Sequence, residues 1–203
     1  ETYATSGTRM LLWFNLISEN EKITMGSSIE TDTKPKFEVK AMGSFVQKPG
    51  CPEDAYIALG EERVDELCFN ECYNPSDERK FIHRIEVIKV LPQEYVDQPI
   101  EGRILDPWYI HYCDPNELGC SFKFTDEDFS TDQKDVSYYV RAIEVPTPQI
   151  NVKGGVCEFD AEGNCVKFKL CTQDWRHPRD IETCSEIDEH RAWSSPIYLD
   201  YLS

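Results

Sequence analysis

At 203 residues the chain has room for one well-buried core, or for a domain with a small subdomain. Its formal charge of −17 excludes whole classes of partner: a phosphate backbone needs clustered Lys and Arg, so neither nucleic acid nor an anionic membrane surface suits it. No apolar run reaches the roughly 18 residues of a spanning helix and no basic-then-apolar leader is present, so no membrane insertion is expected.

In chain order, Glu1–Ile17 opens with a small-residue turn at Thr5–Thr8 and continues as an apolar run, Met10–Ile17, suited to a buried strand. There is no initiator Met and the start reads as mid-element, so the expectation is a fragment of a longer polypeptide. In that division, residues 1–17 are either the end of an upstream domain or the first strand of this one, and 18–203 are the β-rich remainder. Met25–Ser28 and Glu30–Lys34 read as loop. Lys34–Ala41 alternates Phe37, Val39 and Ala41 with charges, a strand with one face in water.

From Lys48 the texture changes. Pro49-Gly50-Cys51-Pro52 is a rigid turn, and Glu53–Cys72 carries Ala58, Leu59, Val64, Leu67 and Cys68 at helical spacing, the one convincing helix. Phe81–Leu91 is a strand whose apolar positions change face midway, by burial on both sides or by a bulge. His83 lies inside it with no second ligand at metal spacing. Gln98–Cys120 reads as a turn-rich excursion anchored by Ile104, Leu105, Trp108, Tyr109 and Ile110, and Phe122–Phe124 as a brief strand.

Thr125–Asp135 is acidic. Asp126, Asp128, Ser130 and Asp132 match the first oxygen positions of an EF-hand, but Thr131 replaces the turn glycine and Ser137 the closing Glu, which favours a solvated acidic loop over a calcium site. Asp135–Pro148 is the strand around which the chain is organised, β-branched or aromatic at most positions and ended by Pro146 and Pro148. Val156–Cys171 is a hairpin turning at Asp160–Asn164, with Gly163 for positive φ. Trp193–Tyr201 is a final strand with Pro196 near its start.

Nine cysteines are too many for a reducing compartment, and Cys-x2-Cys zinc spacing is absent. Disulfides in the periplasm or outside the cell are therefore expected, with at least one sulfur left over because nine is odd. Cys113–Cys120 closes a short loop and is the first pairing expected. Cys51 is expected to bond Cys68 or Cys72, and the pairing Cys157 with Cys165 and Cys171 with Cys184 is favoured among three possibilities.

The chain holds no Gly-x-Ser-x-Gly elbow, phosphate-cradling glycine loop, His-Glu-x-x-His or Gly-x-Gly-x-x-Gly. With 38 carboxylates, close pairs arise by chance, and His111, His177 and His190 sit among loop residues or charges. No catalytic, cofactor or metal residue is therefore assigned.

The segments ETYATSGTR, PGCP (49–52), ECYNP (71–75), RIEVIKV (84–90), DPW (106–108), YYVRAIEVPTP and RAWSSPIY together resemble the C-terminal third of a family of uncharacterised bacterial proteins, a domain of unknown function. The upstream part of that family is similar to PHP-type metal-dependent phosphoesterases. The resemblance implies that metal-binding His and Asp motifs precede Glu1 and that ETYATSGTR runs from the end of an upstream barrel into a β-rich appendix. The expected fold is mainly β, an antiparallel β-sandwich-like domain with one short helix and disulfide-closed loops. The expected role is a non-catalytic accessory domain whose partner is the upstream domain and which carries no cofactor itself. A secreted glycan- or protein-binding module, using Trp108 and Trp175, is the alternative, and an independent hydrolase a minor one.

Overall fold

The computed structural model describes residues 2–7, 9–18, 21–150, 155–170 and 185–202. In chain order its elements are β1 (Tyr3–Thr5), β2 (Leu11–Ile17), β3 (Lys22–Thr24), β4 (Ser28–Thr31), β5 (Lys36–Met42), β6 (Phe45–Gln47), α1 (Glu53–Leu59), α2 (Glu61–Cys68), β7 (Pro75–Arg79), β8 (Ile82–Val90), β9 (Ile104–Tyr112), β10 (Cys120–Thr125), α3 (Phe129–Asp132), β11 (Val136–Glu144), β12 (Thr147–Ile150), β13 (Gly155–Phe159), β14 (Cys165–Leu170), β15 (Ser185–Asp188), β16 (Arg191–Ser194) and β17 (Ile197–Tyr201). The fold is mainly β, built from antiparallel sheets with short helices and, among the described residues, three disulfides. The chain divides into two compact units, Glu1–Glu144 with Arg191–Ser203, and Val145–His190.

In the first unit β11 is the axis of the larger sheet. One side of β11 pairs with β8 from Ser137↔Val90 to Glu144↔Ile82. The other side takes β17 and β16 in succession, through Val136↔Leu199 and Arg141↔Trp193. Beyond β8 lies β9, beyond β16 lies β1, and beyond β17 lies β4, which is parallel to it. The smaller sheet runs β10-β5-β2-β3.

Alternation explains how the two sheets share a core. Leu12, Phe14 and Leu16 of β2 and Phe37, Val39 and Ala41 of β5 are buried, and Val136, Tyr138, Val140 and Ala142 of β11 join the same cluster. Phe37 is its aromatic hub, with ring centroids 5.3 Å from Phe14, 4.9 Å from Phe124 and 4.8 Å from Tyr138, separations at which aromatic pairs gain beyond simple area burial.

Several local expectations are corrected. The single helix over Glu53–Cys72 is two, because Gly60 takes φ 77° and ψ 156°, a conformation that breaks the helical ladder. The loop assigned to Glu30–Lys34 and Met25–Ser28 contains β4; its polar alternation carries little strand signal, and its ladder comes from β17 at the far end of the chain. The turn-rich reading of Gln98–Cys120 gives way to the nine-residue β9. Pro107 is accommodated there because β9 is an edge strand and the register slips between Val87↔Tyr109 and Lys89↔Leu105. Pro148 does not end a ladder but sits in β12 opposite Ile187, while Trp193–Tyr201 is split at Ser195–Pro196.

The face change in Phe81–Leu91 has both causes: Ile85 to Lys89 is buried without interruption, and bulges interrupt its pairing on each side. In the second unit β12 pairs with β15, and β13 with β14 through the Asp160–Asn164 turn. The Asp160 carboxylate accepts from the backbone N–H of Glu162 and Asn164 at 3.1 and 2.7 Å, which shapes the turn.

Candidate functional site

Cys51 bonds Cys72, Cys113 bonds Cys120 and Cys157 bonds Cys165, while Cys68 is the free thiol among the described residues. Cys171 and Cys184, with His177 and Trp175, lie outside the described residues. The choice of Cys72 over Cys68 matters for the site, because Tyr73 follows it directly and β7 starts two residues later. β6 and β7 pair through Phe45↔Arg79 and Gln47↔Pro75, so the disulfide closes the open end of this ribbon.

The ribbon forms one wall of a cavity of about 170 Å³ lined by Gly7, Arg9, Ser44, Phe45, Gln47, Tyr73 and Lys80. That is smaller than the roughly 300–1,000 Å³ of sites for drug-sized ligands, so it suits a small group. Gly7 and Arg9 come from the ETYATSGTR segment and Tyr73 from ECYNP. The Arg9 guanidinium lies 4.0 Å from the Tyr73 ring centroid, and that of Arg79 lies 3.9 Å from the Phe45 centroid. Stacking on a ring fixes an arginine without consuming its in-plane donors.

Behind the lining sits Glu144, fully buried at the end of β11. Its Oε1 accepts from the Ser44 backbone N–H at 2.5 Å, and its Oε2, with no hydrogen-bond partner, lies 3.9 Å from Lys80 Nζ. Ser44 itself is 4% exposed, and its hydroxyl has no hydrogen-bond partner either. The carboxylate thus holds the backbone beneath Ser44 and attracts Lys80, but leaves the Ser44 hydroxyl alone. Gly43 permits the arrangement: a Cβ there would stand 1.9 Å from the Lys80 carbonyl oxygen. Gly43→Ala is therefore expected to push the two segments apart and cost about 1–3 kcal/mol, the range for overpacking, measurable as a lower midpoint in urea unfolding.

Elsewhere the acidic segment departs from expectation. Asp126 is fully buried, not part of a solvated loop: its Oδ2 accepts from Lys89 Nζ and from the Tyr138 hydroxyl, each at 2.5 Å. Asp132 lies 3.7 Å from the same ammonium. A lysine thus occupies the position that a calcium reading would give to the ion. Burial first, then the bond to Asp126, pushes the Tyr138 hydroxyl far above the ordinary tyrosine range.

Trp108 is in β9, half-buried against the core with its ring 6.0 Å from that of Tyr138 and 5.4 Å from Lys89 Nζ, and so is not the exposed loop aromatic that a glycan platform needs. His83 lies in β8, half-buried beside Tyr112, and His190 immediately precedes β16. His111, Cys113 and Cys120 have ligand atoms within 4.8 Å of one another, but the two sulfurs are bonded to each other and the imidazole stacks on Phe122 at 4.3 Å.

Arg9, Ser44, Lys80 and Glu144 went unassigned from sequence. The one local signal was Glu144 itself, a lone carboxylate in the otherwise apolar stretch Ala142–Val145, which asks for a buried partner. No family model matches the chain, and neither does any curated protein or solved structure.

Proposed function

We propose that the chain is a non-catalytic accessory domain of a secreted or periplasmic protein whose upstream part is a PHP-like metallohydrolase, and that it binds rather than transforms its ligand. The observation that carries the reading is the Ser44 hydroxyl: it is buried at a cavity wall, yet the neighbouring carboxylate is engaged by backbone and by lysine instead of by that hydroxyl. Nucleophilic catalysis rests on a base bonded to the nucleophile. Positioned cations on aromatic rings are binding groups. The three disulfides are compatible with an oxidising environment.

The chain alone, incubated with Mn²⁺ or Zn²⁺ and with phosphomonoester and phosphodiester reporters, is expected to give no turnover above buffer. Joined to its upstream domain, it is expected to alter KM more than kcat when the cavity is mutated. Metal-dependent turnover by the isolated chain, abolished by Ser44→Ala, would overturn the proposal.

A further inference from the structure

The cavity at Ser44 holds three sets of hydrogen-bond donors whose acceptors are not supplied by the described residues. The Ser44 hydroxyl is buried and unpartnered. The Lys80 ammonium stands 3.9 Å from Glu144 Oε2, beyond hydrogen-bond distance, so its N–H groups are not consumed there. The Arg9 guanidinium rests on the Tyr73 ring with no carboxylate within ion-pair reach among the described residues. Gln47, by contrast, is used internally: its carbonyl accepts from the Asn74 N–H at 3.0 Å and its amide donates to the Phe45 carbonyl at 3.1 Å.

Charge points the same way. Of the residues that line the cavity, Arg9 and Lys80 are cations and none is a carboxylate, with Glu144 lying behind Lys80, a local excess of positive charge in a chain whose net charge is −17. Arg79, which is not among the lining residues, stacks on the Phe45 ring and donates to the Gly43 carbonyl at 2.6 Å, so it helps to hold Phe45 in place. A cationic ligand would be repelled and an apolar one would leave the Ser44 hydroxyl unsatisfied. A group rich in acceptors and negatively charged satisfies all three donor sets at once, with the planar Arg9 fork suited to two oxygens of one group.

We infer that this cavity is a binding site for a small oxyanion, a phosphate-like group either free or carried on a small organic molecule. The inference rests on the accessory reading and deepens it by naming the ligand class. The two fail separately: turnover by the isolated chain removes the accessory role, whereas the binding assay reads the cavity alone.

Isothermal titration of the oxidised chain with inorganic phosphate and with phenyl phosphate provides the test. Saturable binding is expected with a Kd of about 1 mM or tighter. If the natural ligand is organic, phenyl phosphate binds about tenfold tighter through the Phe45 and Tyr73 rings; if it is the free ion, inorganic phosphate binds at least as well. Arg9→Gln changes an exposed residue and is expected to weaken binding about tenfold. Ser44→Ala separates binding from folding: it removes an unsatisfied buried hydroxyl, so the variant is expected to be at least as stable as the parent and yet to bind more weakly. Lys134→Gln, which removes a cation paired with Glu94 instead, is expected to change nothing. No saturable binding of either probe to a chain shown folded by near-ultraviolet circular dichroism, or equal affinity in the parent, Arg9→Gln and Ser44→Ala, would overturn the inference.

Discussion

Lys89→Met is expected to destabilise the first unit by about 3–5 kcal/mol, because it leaves a buried carboxylate without its counter-charge. Asp126 is fully buried and Lys89 5% exposed, so little water is at hand to solvate the remaining charge. Asp126→Asn is expected to cost less, since Asp132 still lies 3.7 Å from the ammonium. The triple variant Lys89→Met/Asp126→Leu/Tyr138→Phe is expected to recover most of the loss, as apolar residues of similar volume remove the desolvation penalty together with the attraction and leave no buried hydroxyl without an acceptor. Urea unfolding of the three variants measures each difference; equal stability in Lys89→Met and the parent would mean that the pair is solvated in solution.

Tyr138 gives the same network a pH signature. Its folded pKa is raised above the ordinary 10.0, by burial first and by the bond to Asp126 second. A raised folded pKa contributes stability that is fully present below pH 10.0 and is lost as the pH rises beyond it, because the unfolded chain releases the phenolic proton first. Stability is therefore expected to fall above pH 10.0, and the phenolate absorbance of Tyr138 to appear together with unfolding. Tyr138→Phe should flatten this alkaline limb.

Reduction is the second large effect. The Cys51–Cys72 bond closes a separation of 21 residues and Cys113–Cys120 one of 7, worth about 3 and about 2 kcal/mol by loop-closure entropy. Both staple the first unit, so excess thiol is expected to lower its unfolding free energy by about 5 kcal/mol, against a typical total of about 5–15. Cys51→Ala/Cys72→Ala is expected to account for the larger share and to free the Tyr73 wall of the cavity. Parallel urea titrations with and without reductant, followed by tryptophan fluorescence, report the loss. If the midpoints coincide, the bonds add nothing to the fold and the case for an oxidising compartment loses its energetic basis.

The strands that were legible share one property: their burial is settled by neighbours in sequence. Leu11–Ile17 announces itself by a nearly unbroken apolar run, Lys36–Met42 by apolar residues alternating with charges, and the Cys113–Cys120 loop by spacing too short for many alternatives. The elements that were missed depend on distant partners. Ser28–Thr31 becomes a strand because Ile197–Tyr201 lies beside it, and Ile104–Tyr112 tolerates Pro107 because none of the described residues pairs with its outer side. The same holds for the acidic segment, which no local pattern distinguishes from a solvated loop until Lys89, 37 positions away, is placed against Asp126.

By itself, then, the amino-acid sequence determined the β class, the disulfide-rich character and the absence of recognisable catalytic motifs, since periodicity, cysteine number and motif spacing are properties of adjacent residues. Only the tertiary structure decided where charge is buried and where donors converge. Arg9, Ser44, Lys80 and Glu144 are spread over most of the first unit's length and meet because β6 pairs with β7 and β11 ends behind them. The free energy of such a site lies in long-range contacts, and those have no period to read.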